Sequence, residues 1–235
     1  MDRSRLTRLT EGRDHDPFSI LGRHRSDAGG TLVRTWQPGA ENVLIETAAG
    51  FAPMRRVHPA GVFEWTGSDA AERWRLRLSA GDTSWELQDC WAFPPEGDEQ
   101  ALYLFSEGRN HAAWKLLGAL PVYRAGHAGV CFRVWAPNAQ RVSVVGDFNR
   151  WDGLANPMAS LGASGVWELF VPALPAGSLY RFEIRNRQSG DVFVKIDPYG
   201  REFELRPSTA ARVCAISEYR WRDASWLESL SLIHI

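Results

Sequence analysis

The sequence predicts an all-β protein: two tandem immunoglobulin-like β-sandwich domains joined by a short helical linker. Three observations carry this expectation. The chain repeats itself, since residues 33–43 (VRTWQPGAENV) match residues 132–142 (FRVWAPNAQRV) at an offset of 99. Pro53-Met54 and Gly61-Val62 recur as Pro157-Met158 and Gly165-Val166 at 104, Trp74-Arg75-Leu76 as Tyr180-Arg181-Phe182 at 106, and Asp89 as Asp197 at 108. Offsets that grow along the chain describe one duplicated unit with insertions in the second copy, at a period far too long for a solenoid. Within each copy, polarity alternates. Trp74, Leu76 and Leu78 alternate with Arg73, Arg75 and Arg77, and Tyr180, Phe182 and Ile184 with Arg181, Glu183 and Arg185. Such alternation marks strands packed on one face and solvated on the other. Short apolar runs between Gly, Pro and Asn turns, in units of about 100 residues, fit a sandwich, with a small barrel as the competing architecture.

The elements follow in order. Residues 1–14 are charged throughout, predicting a disordered N-terminus with no apolar core for a signal peptide. Residues 15–97 form the first sandwich. Residues 98–118 read as the helical linker: Asp98 is an N-cap, Glu99 suits the first turn, Gly108 stops the helix, and a further turn precedes Gly118. Residues 119–216 form the second sandwich. The remaining segment, 217–235, belongs to neither copy and reads as a linker to a further domain.

Composition narrows the function. Apolar residues make up 44%, charged residues 23%, and the net charge is −1, which offers no footprint for nucleic acid or an anionic membrane. No apolar run is long enough for a membrane helix. The three cysteines, Cys90, Cys131 and Cys214, are far apart and predict reduced thiols in a cytoplasmic protein. Neither Lys115 nor Lys195 ends a phosphate loop, and no H-E-x-x-H occurs. Asp147, Asn149 and Asp152 faintly match a calcium loop, but Met158 stands where its twelfth-position Glu belongs. No metal or cofactor is expected. The residues favour binding or scaffolding over catalysis.

One loop stands out. Residues 146–160 (GDFNRWDGLANPMAS) set Trp151 among turn formers, in a segment that should run over the surface. The first copy has ETAAGFA there, shorter by five residues and without a Trp. The fold therefore does not require Trp151. Trp36 and Trp135, which recur at matched positions, read as scaffold. Trp151 is open to two readings, contact with a sugar or packing against a neighbouring module, because exposed aromatics mark ligand sites and interfaces alike.

Several motifs, in the same order, resemble a known family. FRVWAPNA (132–139), VVGDFNRWDG (144–153), GVWELFVP (165–172) and Asp197-Pro198-Tyr199 resemble the starch- and glycogen-binding β-sandwich that precedes the barrel of amylase-superfamily branching and debranching enzymes. DPFSILGRH (16–24) and LFSEGRNH (104–111) resemble the additional N-terminal module and linker of long bacterial glycogen branching enzymes. The resemblance covers about residues 15 to 216. It implies that a (β/α)₈ barrel follows, with carboxylates that cut an α-1,4-glucan and transfer the segment to a 6-hydroxyl with retention. None of the barrel motifs is present, so no catalytic residue is assigned, and the 235-residue chain alone is expected to be inactive. The resemblance further implies α-1,4-glucan (glycogen, amylose) as partner, packing of these modules on the barrel, and glucan binding by Trp151, Arg181 and Phe193, with Asn149 beside them. Phe193 departs from the family's more usual Trp. The alternatives are a debranching or trehalose-releasing enzyme, against which the first module weighs, and a stand-alone glycan-binding regulatory module, against which the tail weighs.

Overall fold

The computed structural model describes residues 3–26, 29–215 and 222–230. Each copy of the repeat builds two antiparallel sheets. In the first, β1 (Gly22–Arg25), β2 (Thr31–Trp36), β3 (Asn42–Thr47), β4 (Gly50–Pro53), β5 (Arg55–His58), β6 (Val62–Gly67), β7 (Arg75–Ala80) and β8 (Thr83–Gln88) form sheets ordered β1-β2-β6-β5 and β4-β3-β7-β8. The second contains β9 (Gly118–Arg124), β10 (His127–Trp135), β11 (Ala139–Gly146), β12 (Ala159–Ser160) and β13 (Val166–Pro172). It ends with β14 (Leu179–Asn186), β15 (Val192–Lys195), β16 (Glu202–Phe203) and β17 (Ala211–Arg212). Its sheets run β12-β13-β10-β9 and β11-β14-β17-β16, with β15 also on β14. The architecture is all-β, with two sandwich-like modules in tandem.

Strand register reproduces the sequence repeat. Trp36 lies opposite Val62 and Trp135 opposite Val166. Val43 lies opposite Leu78 and Val142 opposite Ile184. Each second pair is the first displaced by the offsets read from the sequence. Register is this reproducible because a one-residue slip would carry every apolar side chain to the solvent face.

A shared device closes each module. Asp89 accepts a hydrogen bond from Trp74 Nε1 at 2.8 Å, and Asp197 accepts one from the Tyr180 hydroxyl at 2.6 Å. The second oxygen of each takes the backbone N–H two residues on, that of Trp91 at 3.3 Å and of Tyr199 at 2.8 Å. Both carboxylates are buried, and burial raises both pKa values, that of Asp89 to about 7.

Residues 1–14, expected to be disordered, depart from that reading: α1 (Arg3–Thr10) is a helix. Leu6 and Leu9, three apart on one helical face, are buried in the core. Two leucines in a charged segment escape a compositional reading yet suffice to dock one face. The chain continues along the second module, where Ser160 N–H donates to His15 O at 2.9 Å. Between the modules lie α2 (Glu99–Ser106), capped by the Asp98 side chain on Ala101 N–H, and α3 (Ala113–Leu116). Leu102, Leu116, Leu117 and Val166 form a small core beneath them. One larger core runs through both modules, from Leu9 and Trp36 to Trp167 and Phe182. In the segment 217–235, α4 (Ala224–Leu230) is a helix with no buried residue, while residues 217–221 and 231–235 lie outside the described residues. The resemblance to branching enzymes implies that the first barrel strand begins near Leu230; Leu230 itself ends α4, and the rest of that stretch lies outside the described residues. Among the described residues no helix is long and apolar enough to cross a membrane.

The matched tryptophans part company. Trp36 is 2% exposed and its Nε1–H donates to Ala60 O at 2.9 Å. Trp135, expected to be scaffold, is 54% exposed and meets only the Phe105 ring edge-on at 6.1 Å among its aromatic neighbours. The strand position is the same. What surrounds it is not, since Trp36 belongs to the main core while Trp135 stands outside it, beside Phe105 of the linker.

Two predictions follow from this packing. Trp36→Ala should lower stability by about 3–5 kcal/mol, and Trp135→Ala by under about 1 kcal/mol, in denaturant unfolding. Because the folded pKa of Asp89 lies above its ordinary value of 3.8, the folded state binds the proton more tightly, and Asp89 makes stability fall as pH rises from there to about 7. Asp89→Asn should flatten that part of the stability profile between pH 5 and pH 8, whatever its cost at pH 5.

Candidate functional site

The loop after β11 begins where Gly146 passes the Leu179 carbonyl so closely that a Cβ would collide with it. A 3₁₀ turn, Asp147–Asn149, follows. Arg150 and Trp151 then adopt left-handed conformations, with φ of 56° and 61°, an uncommon pair for residues with side chains. The turn is closed by Trp151 N–H donating to Gly146 O at 2.9 Å.

Asn149 provides the staple that makes this geometry affordable. Its Oδ1 accepts from Gly146 N–H, and its Nδ2 donates to Val144 O and to Asn156 Oδ1, all at 2.9 Å. Both amide hydrogens are thereby used inside the loop. Asn149 thus supports the turn that carries Trp151.

Trp151 stands above. It is 39% exposed, lies outside the hydrophobic cores, and its Nε1–H donates to Asp147 Oδ1 at 3.0 Å. The Arg181 guanidinium lies over the ring at 5.7 Å from its centroid, a cation–π contact. Arg181 Nε is buried with no partner. Asp147 and Arg181 thus fix the ring from two sides before any ligand arrives. Asp147 was missed in the sequence reading, although its spacing of four from Trp151 across a turn was a usable signal.

Phe193 does not join this face. On β14, Tyr180, Phe182 and Ile184 point one way and Arg181, Glu183 and Arg185 the other. Phe193 pairs with Ile184, and Val194 pairs with Glu183. Directly opposed residues share a face, so Phe193 belongs to the side of Phe182, and Val194 to the side of Arg181. The Lys195 ammonium lies 5.4 Å from the Phe193 ring. The structure therefore brings together Trp151 and Arg181 only, with aliphatic Val194 on their face.

Below the loop, Arg141 bonds the Gly153 carbonyl, Ser143 and Glu183. A Cβ on Gly153 would meet the Glu183 carboxylate, which would have to swing away. On the opposite sheet, Glu168 is fully buried, bound by Arg124 at 2.9 Å, Arg133 at 2.7 Å and Glu96 N–H at 3.0 Å. Burial works against its charge, but Arg133, the Glu96 amide and Arg124 outweigh it and hold the carboxyl below its ordinary range. Among the described residues the four buried acids, Asp14, Asp89, Glu168 and Asp197, all bond their own chain.

Asn149→Ala should remove the staple, lowering stability by about 1–3 kcal/mol and raising amide exchange across residues 146–156. Unchanged exchange there would show that the loop holds its shape without it.

Comparisons with known proteins agree on both modules. Residues 2–91 match the family described as alpha-1,4-glucan branching enzyme GlgB, N-terminal domain. Residues 116–200 match carbohydrate-binding module 48 (isoamylase N-terminal domain). The chain is 50% identical over 229 residues to the 1,4-alpha-glucan branching enzyme GlgB of Nitrosospira multiformis, covering 95% of this chain and 31% of that protein. It is 45% identical over 232 residues to the enzyme of the same name from Rubrobacter xylanophilus, covering 97% and 32%. The chain spans about a third of the length of these curated relatives.

Proposed function

Both modules are homologous to the N-terminal domains of bacterial 1,4-alpha-glucan branching enzymes, and on that premise we propose that the second module holds α-glucan on the Trp151 loop. The observation that carries this is the ring itself: exposed, outside the core, and oriented by Asp147 and Arg181 on a loop that the first module lacks. A rigid indole offers a flat apolar area to the C–H face of a glucose unit at little entropic cost. Arg181 supports the ring and supplies donors at its edge. Asn149 acts one step removed, by holding the turn.

For the complete protein we propose the activity named for its relatives, cutting an α-1,4-glucan and transferring the segment to form a branch. That chemistry belongs to a barrel that is not among the described residues, and these modules serve to bind glucan and to seat the barrel. Two antiparallel sheets per module, in units of about 100 residues, support reading both as immunoglobulin-like.

Trp151→Ala should weaken retardation in glycogen-containing gels by about five- to hundredfold in affinity, equivalent to about 1–3 kcal/mol, with the thermal midpoint nearly unchanged. Equal retardation of variant and wild type would remove the loop from glucan binding. A large loss of stability would instead identify Trp151 as a packing residue. On amylose, the 235-residue chain should give no transfer above a heat-killed control in iodine spectra, since its buried acids are all engaged internally.

A further inference from the structure

The two modules do not close completely on each other. A cleft of about 630 Å³ remains between them, within the range of about 300–1,000 Å³ seen for small-ligand sites. One wall comes from the first module, with Gln37, Trp36 and Trp85, and the other from the second, with Phe148, Arg150 and Asp152. The last two flank Trp151 in sequence. The same short loop therefore carries the exposed indole and forms part of the cleft wall.

We propose that this inter-module cleft is a second α-glucan subsite, continuous with the Trp151 platform. The ligand class rests on the reading of the platform given above, and the location rests on the cleft. Glucose presents an apolar C–H face and a rim of hydroxyls, so its site needs an aromatic plane with both donors and acceptors beside it. Trp85 is half-buried at the cleft and supplies the plane. Its counterpart in the second module is Phe193, since Trp85 pairs with Leu78 as Phe193 pairs with Ile184. The aromatic that is turned away from Arg181 in one module thus has an equivalent facing the cleft in the other.

The polar groups are available. The Arg150 guanidinium makes no hydrogen bond or ion pair among the described residues. Asp152 uses only Oδ1, on Leu154 N–H at 2.9 Å, and Gln37 uses only its amide nitrogen, on Thr35 at 3.0 Å. Besides Arg150, the charged groups at the cleft surface are Asp152 and Glu86, the latter paired with Arg77 at 2.7 Å, so the lining carries no excess of positive charge, which disfavours a phosphorylated ligand and suits a neutral one.

The test is calorimetric titration of the 235-residue chain with maltotriose and maltoheptaose. Gly39 lines the cleft, and a Cβ at this position would meet nothing within 4 Å, so Gly39→Leu should narrow the cleft without backbone strain. It should weaken maltoheptaose about tenfold and leave maltotriose unchanged, because only the longer chain reaches past the platform. Arg150→Gly, at a backbone position already left-handed, is the second probe and should weaken maltoheptaose about fivefold, again sparing maltotriose. Maltoheptaose affinity equal to wild type in both variants would overturn the cleft subsite. Failure of the platform looks different: maltotriose would not bind wild type, or Trp151→Ala would not affect it, while the loss of maltoheptaose in Gly39→Leu would still support the cleft. Binding of neither sugar would overturn both.

Discussion

A buried carboxylate in each module ties the start of a central strand to the turn that follows that strand's hairpin partner. Asp89 joins Trp74 to the turn at Trp91, and Asp197 joins Tyr180 to the turn at Tyr199. Each aromatic brings a large apolar body and one polar atom that cannot be buried unpaired. The Asp satisfies that atom and a backbone N–H together, at the expense of burying its own charge. Burial raises the pKa of both carboxyls, so this cost is visible in the structure. The arrangement survives the change from Trp to Tyr because the requirement is a donor at the end of a ring, not a particular ring.

From that anchor the modules diverge where they meet their surroundings. In the first, the β3–β4 turn is short and β4 runs back along β3. In the second, the inserted residues build the Trp151 loop, and Pro157 makes only a single bridge to Ser143. The insertion exchanges a regular strand for a loop stapled by the Asn149 side chain. The same segment then faces the first module across the cleft, so the duplication supplies both the scaffold and the partner surface for its own later elaboration.

The linker holds the modules through electrostatics as well as apolar contact. Glu168 sits inside β13 with two arginines from β9 and β10, and it accepts the Glu96 N–H that leads into α2. A buried charge missing one of its partners is costly, so this cluster specifies where the linker enters. The continuous core from α1 to β14 does the rest.

The duplication, the strand faces and the register were determined by the sequence alone, because period-two alternation and short turns are local properties that translate directly into pairing. The identity of the exposed loop was legible for the same reason, since an internal repeat shows which residues the fold can do without. What lay beyond the sequence depended on which surfaces meet. Trp36 and Trp135 occupy one position in one motif, yet only the first is buried in the core. Leu6 and Leu9 order a charged terminus because a core lies within their reach. That the Asn149 amide holds the turn was not visible in the sequence, because its partners Val144 and Asn156 meet it only in the folded loop. Phe193 and Val194 exchange roles according to the pairing of β15 with β14, which the intervening turn sets and composition does not reveal. These outcomes rest on contacts between segments far apart in the chain, and only the folded molecule brings those segments together.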